Sequence, residues 1–338
     1  MKAAVFKALK QPLVVETIPD PTPGPLDVVV KVGRCGICGS DLHISEDPIF
    51  GVPAGAVLGH EYAGEVVEVG KEVTRVKKGD RIAAYPLISC GHCGPCKSGQ
   101  PAWCEQPGGM IVGGGGYGEF SQIAEHQVVR MPDGVSLDDG ALVEPMAVGL
   151  HAVNVSGLKS GARVLVIGAG PIGLAVVFWA RRMGAGKIAC TASSTRRADL
   201  AMQMGASVFV APSDTPVEDV NRALGGAPEI VFECVGMPGL IQRSVDHVHT
   251  RGTVVIAGLC TTPDTINPFF VVSKEARLQP SAFYDVRDFQ TTLDVFDAGI
   301  LEPHAMITDE VSLAAMPDAF EALKHRTHQC KVMVNPWG

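Results

Sequence analysis

The chain has 338 residues, 46% hydrophobic and 19% charged, a length that suggests two domains and enough apolar material for large cores. A formal net charge of −8, with Lys and Arg scattered, argues against a nucleic-acid or membrane-surface partner, since both favour a basic face. No run approaches the roughly 20 apolar residues of a membrane span, and the opening MKAAVFKALK lacks a leader's apolar core. A cytosolic, reducing location is expected, where clustered cysteines point to metal or catalysis rather than to disulfides.

In chain order, MKAAVF, DVVVKV, AGEVVEV, RIAAY and EFSQIAEHQVV read as strands, and PDPTPGP at 19–25 as a turn cluster that cannot be helix. The first 150 residues are therefore expected to be all-β, a closed or nearly closed barrel. From about residue 155 the rhythm changes. RVLVIG is a strand, and PIGLAVVFWARRMG a helix started by Pro171 and stopped by Gly184. KIACTA, RRADLAMQMG, SVFVA, VEDVNRALGG, EIVFECVG, PGLIQRSVDHV and TVVIAGL continue the alternation, and NPFFVVSKEA with RLQPSAFY completes a sixth strand. Six strands alternating with helices predict a doubly wound parallel sheet covered on both faces. Beyond residue 286, VRDFQTTLDVFDAG and MPDAFEALKHR read as helices and KVMVNP as a last strand, a tail expected to pack back on the first domain.

VIGAGPIG supplies G-x-G-x-x-G at Gly168, Gly170 and Gly173, between a strand and a helix. In that frame Gly168 permits the tight turn, Gly170 admits a pyrophosphate to the backbone, and Gly173 lets the helix pack closely, with Pro171 and Ile172 opening the helix toward the phosphates. An NAD site usually carries a carboxylate about 20 residues on. Here CTASSTRR offers none, and Ser193, Arg196 and Arg197 suit a 2′-phosphate instead. NADP(H) is expected, with NAD(H) as the alternative.

The stretch SCGHCGPCKSGQPAWC holds Cys90, Cys93, Cys96 and Cys104, four thiolates that can close a tetrahedron around zinc, with an iron–sulfur cluster as the alternative. A closed site of this kind is structural. Candidates for an open site are Cys38, Ser40, Asp41 and His43 in CGICGSDLH, His60 and Glu61 in VLGHEYAGEVVEVG, and Glu144 in LVEPMAVGLHAV. Cysteine, histidine and carboxylate together form a ligand set for zinc with an exchangeable position. Cys35, Cys190, Cys234, Cys260 and Cys330 read as small structural residues.

CGICGSDLH, GHEYAGEVVEVG, the four-cysteine lobe, the Glu144–Pro145 pair and GAGPIG occur in the order found in the zinc-containing medium-chain alcohol dehydrogenases, which the whole chain resembles. The resemblance implies a GroES-like β-barrel catalytic domain at 1–150 with a zinc lobe at about 86–110, a Rossmann domain at 151–285, and a C-terminal return at 286–338, with the active site in the cleft. It implies two zinc ions per chain. Cys38, His60, Glu61 and Glu144 attend the catalytic one, and Cys90, Cys93, Cys96 and Cys104 hold the structural one. Glu144 stands where the liver-type enzymes have Cys, which is similar to the polyol, butanediol and threonine dehydrogenase branch. Asp41 would orient His60.

The resemblance also implies a reaction. Ser40 takes the proton of a zinc-activated alcohol and passes it by way of the nicotinamide ribose toward His43, while a hydride goes to the nicotinamide. The expected substrate is a small secondary alcohol, diol, polyol or the matching ketone, and the expected assembly a homodimer or homotetramer. Phe50, Tyr117 and Phe283, in or near DPIFGVP, GGGGYGEF and SAFYD, are candidate pocket walls. The rivals are a non-catalytic NADPH-binding protein, which would have a damaged ligand set, an NAD-dependent polyol or threonine-type dehydrogenase, and a zinc-independent quinone or enone reductase, which would lack both cysteine sets.

Overall fold

The computed structural model describes residues 1–106 and 114–338. Residues 107–110 of the expected zinc lobe and Gly113 of the GGGGYGEF loop lie outside the described residues. The chain divides into two compact units, Met1–Glu144 with Asp285–Gly338, and Pro145–Tyr284.

The elements up to the division are β1 (Lys2–Val5), β2 (Val14–Thr17), β3 (Asp27–Gly36), α1 (Gly39–Glu46), β4 (Glu61–Val69), β5 (Arg81–Ala84), α2 (Gly94–Lys97), β6 (Phe120–Ala124), β7 (Val128–Arg130) and α3 (Leu137–Val155). The break expected near residue 150 is not a linker. The division falls inside α3, where Pro145 interrupts the helical ladder. Then follow β8 (Arg163–Ile167), α4 (Pro171–Arg182), β9 (Lys187–Thr191), α5 (Ala198–Gln203), β10 (Val208–Val210), α6 (Pro216–Leu224), β11 (Ile230–Glu233), α7 (Leu240–His247), β12 (Thr253–Ile256), α8 (Pro268–Ser273) and β13 (Arg277–Pro280). The tail supplies α9 (Val286–Asp297), β14 (Ile307–Ser312), α10 (Met316–Ala322) and β15 (Lys331–Asn335).

In the first unit the strand order is β14-β15-β3-β4-β5-β7, with β6 also on β3 and β1–β2 a separate hairpin. β3 organises the unit. Its N-terminal half pairs with β6, its C-terminal end with β15, and its whole length with β4. Val28, Val30 and Val32 alternate into a core completed by Val66, Ile82, Val128, Phe320, Val332 and Val334. The tail thus supplies both sheet and core to this unit. The expected strand over EFSQIAEHQVV is two strands, because a 3₁₀ turn at Glu125–Gln127 breaks it.

The second unit is a six-stranded parallel sheet in the order β10-β9-β8-β11-β12-β13, the 3-2-1-4-5-6 winding of a dinucleotide-binding fold. β8 and β11 are almost wholly buried, as strands covered on both faces must be. NPFFVVS is a helix and not the start of the sixth strand. Asn267 caps it by accepting from the Phe269 amide at 3.0 Å, and Pro268 occupies the first turn. Cys190 and Cys330 are core residues, whereas Cys234 and Cys260 are only half-buried. Among the described residues no helix is long and apolar enough to cross a membrane.

One histidine of this unit bears on its stability. His247, at the end of α7, is 1% exposed, and among the described residues neither ring nitrogen has a hydrogen-bond partner. Burial lowers its pKa to about 4, with Arg243 and Lys274 pushing the same way against Asp246 and Glu218. Lys274 is held there because its ammonium donates to the Val245, Asp246 and Val248 carbonyls at 2.7 to 2.9 Å, capping α7. The unfolded chain therefore binds a proton at His247 that the folded chain refuses. Its contribution to stability is complete above about pH 6.5 and is lost as the pH falls toward about 4, with an upper size of about 3 kcal/mol. Denaturant titrations at pH 7.5 and 5 should show a smaller acid destabilisation for His247→Gln than for the parent; equal slopes would remove His247 from the account.

Candidate functional site

Strand register assembles the first centre. β3 and β4 are antiparallel, and Gly36 stands opposite Glu61. Cys38, two residues past the end of β3, and His60, one residue before β4, are thereby brought together from 22 positions apart. The Cys38 sulfur, a His60 nitrogen and a Glu61 oxygen all lie within 4.8 Å of one another. Cys38 also caps α1, whose first turn carries Ser40 and Asp41. The Ser40 hydroxyl lies 3.2 Å from Cys38 Sγ and 3.3 Å from His60 Nε2. His43 is exposed one turn further along the same helix.

The imidazole is oriented from behind. His60 Nδ1 faces Asp41 Oδ1 at 3.2 Å, and both residues are buried. The carboxylate assigns the ring proton to Nδ1 and leaves the Nε2 lone pair directed toward Cys38 and Ser40. Burial raises the Asp41 pKa, but against a protonated His60 the ring charge and the hydrogen bonds from His60, Tyr117 and the Cys38 amide outweigh it, and the carboxyl then titrates below its usual range. Tyr117 is no pocket wall. It is fully buried, and its hydroxyl donates to Asp41. Phe50 packs against the same core, and Phe283 lies half-exposed in the second unit.

Glu61, the next residue and the first of β4, is engaged by a different partner. Both of its oxygens are held by the Lys331 ammonium, at 2.5 and 2.7 Å, and Lys331 also donates to the Ile37 carbonyl at 3.2 Å. The two residues are 0% and 1% exposed. Burial lowers the Lys331 pKa, but Glu61 and Cys38, with Glu144, outweigh it and keep the ammonium charged. Glu144 is buried on α3 within electrostatic reach of Lys331, but it is not one of the residues grouped within 4.8 Å at Cys38. Lys331 escapes sequence reasoning. Its only local signal is a lysine opening the strand KVMVN, and its partner is 270 residues away. Cys35, by contrast, is simply buried, with its pKa raised by desolvation.

The second centre is the four-cysteine lobe. Cys90, Cys93, Cys96 and Cys104 have mutual sulfur distances that include 3.3, 3.9 and 3.9 Å, too long for disulfides. Zn–S bonds of about 2.3 Å would set the sulfurs of a tetrahedron about 3.8 Å apart, so the set fits zinc. The Cys90, Cys93 and Gln106 amides each donate to a sulfur of the set at 3.2 to 3.3 Å, which favours thiolates. Gly91 and Gly99 take left-handed conformations at the bends, and Gly94 begins α2.

The third is the glycine loop of the second unit. Gly168 has φ +109°, and a Cβ on Gly173 would lie 1.7 Å from the Gly168 carbonyl, so neither position admits a side chain. Among the described residues a Cβ on Gly170 would meet nothing within 4 Å, which leaves space before α4, where Pro171 and Ile172 begin the helix. At the end of β9, Ser193 and Arg196 are exposed, while Arg197 turns back to donate to the Ala169 carbonyl at 3.2 Å.

Residues 24–133 match the alcohol dehydrogenase GroES-like domain, and residues 171–298 the zinc-binding dehydrogenase family. The chain is 34% identical to (R,R)-butanediol dehydrogenase of Bacillus subtilis, over 99% of this chain and all of that one. It is 31% identical to sorbitol dehydrogenase of the same organism, over 99% and 97% of the two chains. A zinc-binding dehydrogenase structure from Sinorhizobium meliloti, bound to NADP, superposes with a TM-score of 0.88 at 32% identity, covering 99% of each chain.

The buried pair sets a prediction. Lys331→Met strands a buried carboxylate, and Glu61→Gln strands a buried ammonium, so each should cost about 3–5 kcal/mol in denaturant unfolding. The double variant should cost clearly less than the sum. Additive losses would mean that the two charges do not stabilise each other.

Proposed function

The chain belongs to the zinc-containing medium-chain alcohol dehydrogenase family, and we propose that it moves a hydride between a secondary alcohol, diol or polyol, or the matching ketone, and NADP(H). The observation that carries this reading is the Ser40 hydroxyl placed beside both Cys38 Sγ and His60 Nε2. Cys38 and His60 would hold the catalytic zinc. We assign Glu144 to complete the set, since both oxygens of Glu61 are already engaged by Lys331. The lobe of Cys90, Cys93, Cys96 and Cys104 would hold a second zinc whose part is to pin the loop. Zinc at the first site supplies Lewis-acid polarisation of the alcohol oxygen. The nicotinamide supplies the hydride acceptor.

The protein's own residues do the rest. Ser40 accepts the hydroxyl proton, because no other hydroxyl is hydrogen-bonded to both Cys38 and His60 among the described residues. His43, exposed on the next turn of α1, returns that proton to solvent, a task suited to an imidazole near neutral pH. Asp41 keeps His60 in the tautomer that presents Nε2. The small-molecule substrate class follows the butanediol and sorbitol dehydrogenases that the chain resembles.

For the cofactor, we assign the 2′-phosphate to Ser193 and Arg196. Both are exposed at the end of β9, where no carboxylate repels it, while Arg197 is tied to the glycine loop.

Metal analysis of the purified chain should give two zinc ions, and assays over diols and polyols should find a substrate whose turnover falls about 10²–10⁴-fold in Ser40→Ala. One zinc, or turnover indifferent to Ser40→Ala, would overturn the reading. Titration of nicotinamide fluorescence should show tighter NADPH than NADH binding. Arg196→Ala should weaken NADPH about 10–100-fold and leave NADH unchanged. Equal losses for both would take Arg196 out of 2′-phosphate recognition.

A further inference from the structure

We propose that Tyr117 is a positioning residue for the metal-binding imidazole, fixing His60 through Asp41. The inference rests on the reading of Cys38 and His60 as zinc ligands and adds a group that touches neither metal nor substrate.

The geometry has two arms. The first is polar. Asp41 is a fully buried carboxylate with three donors: His60 Nδ1 on Oδ1 at 3.2 Å, and the Tyr117 hydroxyl at 2.5 Å and the Cys38 amide at 3.4 Å on Oδ2. The amide contact is long, so the hydroxyl is the strong restraint on Oδ2. With Oδ2 held, the carboxylate plane is set and Oδ1 is aimed at His60. Without it, the carboxylate turns about its last bond, and the hydrogen bond that orients the imidazole loses its direction. Burial, with the Asp41 charge second, keeps the phenol well above its ordinary pKa and hence always a donor.

The second arm is steric. The ring of Tyr117 lies against Gly59, the residue before His60, where an added Cβ would meet ring carbons at 2.5 and 2.6 Å and where φ is +90°. The backbone locks the same contact. The Tyr117 amide donates to Leu58 at 3.0 Å, the Gly116 amide to Gly59 at 2.6 Å, and the Ala4 amide to Tyr117 at 2.8 Å. Phe320 of α10 closes the far side, edge-on at 6.4 Å. One side chain therefore fixes both the backbone that carries His60 and the carboxylate that aims it.

Tyr117→Phe separates the arms, because it keeps the ring and deletes the donor. In the full chain, chelator competition should show the first-site zinc weakened about 3–30-fold with the four-cysteine zinc unchanged. The visible absorption of Co²⁺ substituted at the first site should shift. Adding Tyr117→Phe to Asp41→Asn should cost nothing beyond Asp41→Asn alone, since the hydroxyl acts through that carboxylate. Phe320→Leu, which loosens the ring but keeps the hydroxyl, should weaken zinc binding less than Tyr117→Phe does, an order that a purely packing role would reverse. Unchanged affinity and spectrum in Tyr117→Phe, or a loss of the same size with and without Asp41, would overturn the proposal. A parent chain that binds only one zinc would instead sink the ligand reading on which it stands, and this inference with it.

Discussion

The first unit turns on one buried ion pair, Glu61 with Lys331, which meets across Gly36. Three strands converge there: β4 begins at Glu61, β15 begins at Lys331, and β3 ends between them at Gly36. A Cβ on Gly36 would lie 2.2 Å from Glu61 Oε2 and 3.1 Å from Lys331 Cδ, so the pair exists only because that position has no side chain. A buried ion pair gains little net stability over an apolar substitute, but breaking half of it is costly. Its value here lies in register. A slip of β15 by one residue would turn Lys331 outward and leave Glu61 charged and alone. The tail is thus tied to β3 and β4 in a single alignment, and the β3–β4 pairing also brings the segments carrying Cys38 and His60 together.

His60 and Glu61 show how a strand start can serve two ends. They are neighbours where β4 begins, and each has its own polar partners. His60 faces Asp41, Ser40 and Cys38, where a lone pair is presented, and Glu61 faces Lys331, where a charge is neutralised. The histidine of the cluster is therefore adjacent in sequence to the residue that secures its strand. The cationic side chain that secures it comes from the far end of the chain, so completion of the site requires the tail to be in place.

Much of this was legible in residues alone, and the divide between legible and illegible is local against long-range. The glycine loop, the four cysteines and the apolar strand runs carry their signals within a few positions, and each was readable because backbone geometry or ligand spacing demands those residue types locally. The part of Asp41 came from the family resemblance, since its partner His60 is 19 positions away. Lys331 and Tyr117 were not readable, since their meaning lies in partners 270 and 76 positions away. NPFFVVS misleads because its apolar run fits a strand as well as a helix, and the capping by Asn267 decides it. Ile307–Ser312 goes unseen because ITDEVS is too polar to announce a strand; it forms one at the sheet edge by pairing with β15.

Arg196 and Arg197 show the same divide at the scale of one residue. In sequence they are equivalent, two arginines after a strand with no carboxylate, and either would suit a phosphate. In the fold they part. Arg197 donates to the Ala169 carbonyl, inside the glycine loop, and so ties the end of β9 to the turn between β8 and α4. That carbonyl belongs to a loop in which Gly168 and Gly173 admit no side chain, so few side chains of its own hold its shape. A guanidinium with several donors in a rigid fork is well suited to restraining it from outside. Arg196 remains exposed, and its charge is the one left for a ligand. Two adjacent arginines are thereby put to different uses, one spent on the shape of the glycine loop and one facing solvent.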